Sequence, residues 1–173
     1  RQKELLRLAD ALSQNQVAKP ASYLEAVQLV WMYCLLGPII DIGRCDVFFG
    51  VLYCHDIDNH VINEEEALQI TMNFFRLIDH LDCETDGRVI VGGNGRRNPE
   101  QADRYSLHAI EACRRTRTVL PQFTLRFHKD TPKEVMQAAI RCIEEGTTYP
   151  LLYNDDVIVP GVEKTYGVPR ELA

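Results

Sequence analysis

Apolar residues recur at helical spacing along much of the chain. Leu5, Leu8 and Leu12 form one stripe, which Pro20 ends. Ser22 with Glu25 three positions on reads as a capping box, and Ala26, Val27, Val30, Trp31, Cys34 and Leu35 follow on one face. Gly37-Pro38 closes that helix. Residues 39–53 mix β-branched and aromatic side chains with Gly43 and Gly50, which predicts an irregular buried stretch holding a strand or a short helix. Asn63 with Glu66 opens the next helix, whose stripe is Ala67, Ile70, Phe74, Leu77 or Ile78, and Leu81.

From residue 88 the pattern alternates. Arg88–Val91 reads as a short buried strand closed by Gly92-Gly93-Asn94-Gly95. Asn98, Pro99 and Gln101 start a helix running towards Thr118, and Pro121 opens a strand through Phe127. Thr131, Pro132 and Glu134 start a further helix that Gly146 ends. Residues 150–159 are expected to be the last strand, interrupted by Asn154-Asp155-Asp156. Strands over 88–93, 121–128 and 150–159, joined by helices over 98–118 and 131–145, form an α/β order that predicts one parallel sheet.

Composition narrows the classes. The chain has 173 residues, 46% hydrophobic and 25% charged, within the range of one folded domain. A net charge of −6 argues against a nucleic-acid partner. No apolar run reaches the roughly 18 residues of a membrane span. Both ends read as cut in mid-pattern. The six cysteines, at 34, 45, 54, 83, 113 and 142, show neither CxxC nor Cys/His ligand spacing. They are expected to be free buried thiols of a cytoplasmic protein, with no metal.

Nucleotide-loop, serine-hydrolase and zinc-protease motifs are absent. Asp56-Ile57-Asp58-Asn59 opens like a calcium loop, but Val61 and Ala67 occupy the positions that need glycine and an acid, so a solvated turn is expected. Cys54 beside His55 is the one adjacent thiol–imidazole pair, a weak nucleophile candidate. The Gly92–Gly95 turn could offer backbone N–H groups to an anion, or simply end a strand on glycines at positive φ. Arg44 and Asp46, flanking Cys45 in an apolar stretch, need partners, either in a structural network or along a pocket wall. The same alternatives hold for Asn154 and its two acidic neighbours. Thr124 and Arg126 alternate with Phe123, Leu125 and Phe127, so one face of that strand is polar.

Several segments together resemble one family. Ala21–Trp31 is similar to its "PAS…EALQL.W" helix, and Gly43-Arg44-Cys45-Asp46 to its "GRxD" segment. Val91-Gly92-Gly93, Leu120–Arg126, Tyr153–Pro160 and Tyr166–Pro169 resemble further segments in the same order. By these the chain is identified as a member of the glycyl radical enzymes of the pyruvate formate-lyase type. The resemblance implies a ten-stranded α/β barrel of which residues 1–173 are one segment.

It also implies the chemistry. A glycyl radical, installed by a separate radical-SAM activase, takes hydrogen from a cysteine, and the thiyl then breaks a C–C, C–O or C–N bond of a small organic substrate. The loops that carry the cysteine and the glycine do not occur in this sequence, so no catalytic residue is assigned and none of the six cysteines is carried over. Arg44, Asp46, Thr124 and Asn154 are the candidates for the polar lining of the lumen. Pro38 and Ile39 stand where dehydratase-like members carry a His-Ser pair, and Cys45 and Val47 where Leu and Gln are common, which leaves the subfamily open. The implied partners are the substrate, the activase and the remainder of the barrel, with a homodimer left open. The alternative from another class is a non-catalytic scaffold or split-subunit fragment that needs a partner chain.

Overall fold

The computed structural model describes residues 2–15, 18–36, 41–81 and 87–170. Pro38, Ile39 and Cys83 lie outside them. Helices α1 (Gln2–Asn15) and α2 (Tyr23–Cys34) come first, then strand β1 (Asp41–Arg44) and helix α3 (Cys45–Asp58). Next are α4 (Glu64–His80), β2 (Arg88–Gly92), α5 (Pro99–Thr116), β3 (Phe123–Phe127), α6 (Lys133–Glu144), β4 (Leu151–Asn154) and α7 (Asp155–Tyr166).

The four strands form one parallel sheet whose spatial order is the chain order, β1-β2-β3-β4. Every crossover therefore steps in the same direction. Crossovers between parallel strands are right-handed, so their helices fall on one face of the sheet. Val89, Val91, Phe123 and Leu125 occupy that face and join one core with Phe49, Phe75, Ile110, Ala139 and Cys142 from the helices. The Phe75 and Phe123 rings meet at 5.9 Å. On the opposite face Arg44, Ile90, Thr124 and Leu151 stand in one register row, and Gly92, Arg126 and Tyr153 in the next.

The expected capping box is complete at α4, whereas at α2 Ser22 caps the Glu25 amide but Glu25 reaches back to the Ala21 amide instead of that of Ser22. Asn63 Oδ1 accepts from the Glu66 amide at 2.9 Å, and Glu66 accepts from the Asn63 amide at 3.0 Å. The α4 stripe resolves in favour of Ile78, fully buried, over Leu77, which is exposed. Residues 39–53 hold both expected elements in sequence, with β1 running straight into α3.

Two expectations need correction. The strand over 150–159 ends at Asn154. Residues 155–159 are helical, because Asn154 takes an extended φ/ψ and its side chain accepts the Asp156 amide at 3.0 Å as an N-cap. Asp56–Asn59 is no solvated turn. Asp56 is buried in the last turn of α3 and accepts the Tyr23 amide at 2.8 Å, satisfying a free N–H at the start of α2. Cys54 agrees with the reading as an inert thiol: it is buried, burial raises its thiol pKa, and its Sγ points to the Gln101 carbonyl at 3.8 Å.

A polar seam crosses the helical layer. Thr71 Oγ1 lies within hydrogen-bond distance of the Ala67 carbonyl at 3.0 Å, Tyr23 Oη at 2.6 Å and His108 Nε2 at 2.7 Å. Tyr23 Oη also shares a hydrogen bond with Tyr105 Oη at 3.3 Å. Burial of His108 depresses its pKa to about 4, so the imidazole is neutral at pH 7.

Candidate functional site at the carboxyl ends of the strands

In parallel α/β sheets, ligand sites lie outside the carboxyl ends of the strands. Two junctions of one design flank that edge. β1 passes into α3 and β4 into α7 with no intervening loop, so each strand end is followed within two residues by a carboxylate in the first helical turn: Asp46 and Asp155. Both are fully buried. Negative charge is favourable at a helix N-terminus, which is part of why acids are tolerated there.

Between the two junctions β2 ends in the turn Gly92-Gly93-Asn94. Asp46 Oδ2 accepts the Gly92 amide at 2.9 Å, and Asp155 Oδ2 accepts the Asn94 amide at 2.8 Å. The anions that the glycine turn cradles are thus the protein's own carboxylates. Gly92 and Gly93 have φ of +78° and +84°. A Cβ on Gly93 would lie 2.6 Å from Asp155 Oδ2, and one on Gly92 would strike the Arg126 carbonyl oxygen. Glycine is required at both positions by conformation and by space.

Three arginines complete the network. Arg44 donates to the Asn94 carbonyl at 2.8 Å and to the Gly92 carbonyl, and its Nε lies 3.9 Å from Asp46. Arg96 donates to the Gly93 carbonyl at 2.9 Å and pairs with Asp103 at 2.5 Å and with Asp46 at 3.5 Å. Arg126 Nε donates to Asp155 Oδ1 at 2.6 Å. Burial raises the Asp46 pKa more than Arg44 and the Gly92 amide lower it, and burial likewise lowers that of Arg44. The charges are held by geometry in an environment that does not favour them, which is the signature of a buried ion pair.

The outward surface is guanidinium. Arg44 and Arg126 keep 26% and 24% of their side chains exposed, whereas Asp46 and Asp155 keep none. Asp46 Oδ1 and Arg44 Nε are sealed from solvent and lack hydrogen-bond partners among the described residues.

Of the four sequence candidates, Arg44 and Asp46 meet in this network. Thr124 sits two residues before Arg126 on the same face of β3, buried, with its hydroxyl unpartnered among the described residues. Asn154 serves as the α7 cap. Asp155 and Arg126, which the sequence marked only as members of polar stretches, are central to the network together with Arg96. The one local signal for Asp155 was a third polar residue inside an apolar run.

The five described cysteines are free and buried. Burial holds the Cys45, Cys54 and Cys142 thiols above their usual range and pushes Cys113 up to about 12, which suits inert packing. Among the described residues no group of three His, Cys, Asp or Glu could hold a metal ion, and no helix is long and apolar enough to cross a membrane.

Known structures share this fold. A glycyl radical enzyme from Archaeoglobus fulgidus superposes with a TM-score of 0.81 at 24% identity, covering 98% of this chain and 24% of that one. The B12-independent glycerol dehydratase from Clostridium butyricum gives 0.78 at 22% identity over 94% of this chain and 23% of its own. Among curated relatives, the (2S)-3-sulfopropanediol dehydratase of Klebsiella oxytoca is 25% identical over 182 residues, 94% of this chain and 22% of the relative. An isethionate sulfite-lyase of Oleidesulfovibrio alaskensis is 24% identical over 92% of this chain. The chain spans about a quarter of the length of these proteins. The pyruvate formate lyase-like family profile matches residues 1–172, and with the parallel sheet and its glycine turn in place, the chain belongs to that family, the glycyl radical enzymes.

Proposed function

We propose that residues 1–173 form part of the wall of a glycyl radical enzyme that cleaves a C–C, C–O or C–N bond of a small organic substrate. The observation that carries this reading is the convergence of Gly43–Asp46, the Gly92–Asn94 turn and Asn154-Asp155 at the carboxyl edge of the sheet. The radical, placed by a radical-SAM activase on a glycine outside these residues, would supply hydrogen-atom abstraction. The residues here do three other things. Helices α3 to α6 cover one face of the sheet and keep water from it. Asp46 and Asp155 fix the β2 turn. Arg44, Asp46, Thr124 and Asn154, joined by Arg126, line or brace the lumen side, and rigid support of this kind holds a reacting geometry.

The remainder of the barrel is the partner this wall requires, and the cytoplasm suits its free thiols. The 173-residue chain alone is expected to have no turnover. The test is anaerobic co-expression with a matching activase, followed by electron paramagnetic resonance. A glycyl-type doublet from a longer protein carrying this segment, and none from the 173 residues alone, is expected. A doublet from the 173 residues alone would overturn the placement of the radical elsewhere. No doublet from the longer protein would favour the scaffold reading.

A further inference from the structure

Two guanidiniums meet over one turn at the carboxyl edge of the sheet, and their hydrogen-bonding capacity is only partly used. Arg44 comes from the end of β1: one terminal nitrogen donates to the Asn94 carbonyl at 2.8 Å and the other to the Gly92 carbonyl. Arg126 comes from β3 and passes over Gly93, where a Cβ would lie 3.2 Å from Arg126 Nε. The bare Cα of Gly93 is what lets the second guanidinium approach the first.

Arg126 is pinned from behind. Its Nε donates to the buried Asp155 at 2.6 Å, and its two terminal nitrogens have no partner among the described residues, which leaves their N–H groups free. Each terminal nitrogen of Arg44 also keeps an N–H beyond the one it spends on the turn. Both arginines reach solvent, whereas Asp46 and Asp155 behind them do not. Charge is therefore layered, negative inside and positive outward. Burial is the main cause that lowers the Arg44 pKa, and the positive charges of Arg126 and Arg96 add to it. An anion in front of the pair would relieve that repulsion.

We propose, on the reading that this edge faces the lumen, that the outer fork of Arg126 with Arg44 beside it binds the carboxylate of a small organic anion, so that the substrate has a charged end. A guanidinium already held at Nε offers its two terminal nitrogens side by side, and a planar carboxylate matches them with two parallel hydrogen bonds. Because Asp155 fixes the fork beforehand, little side-chain freedom is lost on binding. One negative charge suits the site better than two: Arg44, Arg96 and Arg126 already face Asp46, Asp103 and Asp155, so a dianion such as phosphate would leave charge in excess. A metal ion would meet guanidinium, and a neutral polyol would leave the outward charge unmatched.

The experiment is saturation-transfer NMR at pH 7 on the complete protein, kept apart from its activase, with sodium propionate as the probe. Saturable binding with a millimolar dissociation constant is expected, with neither 1-propanol nor propylammonium competing. Arg126→Lys keeps a cation for Asp155 but removes the fork, and should weaken propionate at least tenfold. Should that variant fold poorly, the unaltered protein supplies a second reading. Phenylglyoxal adds to guanidinium groups, and mass spectrometry of the peptides should show propionate slowing the labelling of Arg126 at least threefold while exposed Arg141 is unchanged. No saturable binding, full-strength binding to Arg126→Lys, equal competition by 1-propanol, or labelling of Arg126 indifferent to propionate would overturn the proposal. The protein carries no radical in these measurements, so the anion site and the radical signal can fail separately.

Discussion

Replacing Asp155 by alanine removes the only carboxylate among the described residues that holds both the β2 turn and β3. It is fully buried and accepts two hydrogen bonds, from Arg126 Nε at 2.6 Å and from the Asn94 amide at 2.8 Å. Breaking a buried charged pair by removing one partner costs about 3–5 kcal/mol. Arg126 is a quarter exposed and can turn towards water, which discounts its share. The Asn94 amide is part-buried and left without an acceptor, at about 1–3 kcal/mol. A loss of about 3 kcal/mol is expected, roughly a hundredfold in the folding constant. Urea unfolding followed by Trp31, the single tryptophan and half-buried against the core, reads it directly. Arg126→Met should lose a similar amount, and the double variant clearly less than the sum. A loss under about 1 kcal/mol, or strict additivity, would refute the view that these groups act as one clamp.

His108 links stability to pH. Its folded pKa of about 4 lies below the ordinary 6.5, so its contribution is fully present above pH 6.5 and is lost as pH falls towards 4. The full difference is about 3 kcal/mol, and His108→Gln should flatten the stability profile between those limits. Gly92→Ala and Gly95→Ala separate space from conformation. Both positions have positive φ, but only Gly92 has backbone against its missing Cβ. Thermal melts should place Gly95→Ala about 1 kcal/mol below the parent and Gly92→Ala at least about 2 kcal/mol below. Equal losses would remove the close approach of β2 and β3 from the explanation.

Helices with a cap and a stripe were legible in the sequence. Asn63 and Glu66 mark the start of α4 because the reciprocal bonds are three residues apart and need no distant partner. Residues 155–159 misled because Val157, Ile158 and Val159 are β-branched. Asn154, which starts a helix, then looked like an interruption in a strand. Helix α3 was hidden for another reason: apolar side chains surround nearly all of it, so no stripe marks its period. The site was half legible. A charge within an apolar stretch announced that Arg44 and Asp46 need partners. The partner of Asp155 is an amide 61 positions earlier in the chain, and no local pattern points there.

The agreement of spatial and chain order in the sheet has a consequence for how the segment assembles. Among the described residues each strand after β1 pairs with the strand made just before it. As the chain leaves the ribosome, β2, β3 and β4 can each add in turn to an existing edge. The glycine turn would wait with one carboxylate in place, that of Asp46, until Asp155 emerges behind β4. The clamp is therefore the last joint to close, and slow docking of β4 would leave the Asn94 amide open to hydrogen exchange while the Gly92 amide is already protected.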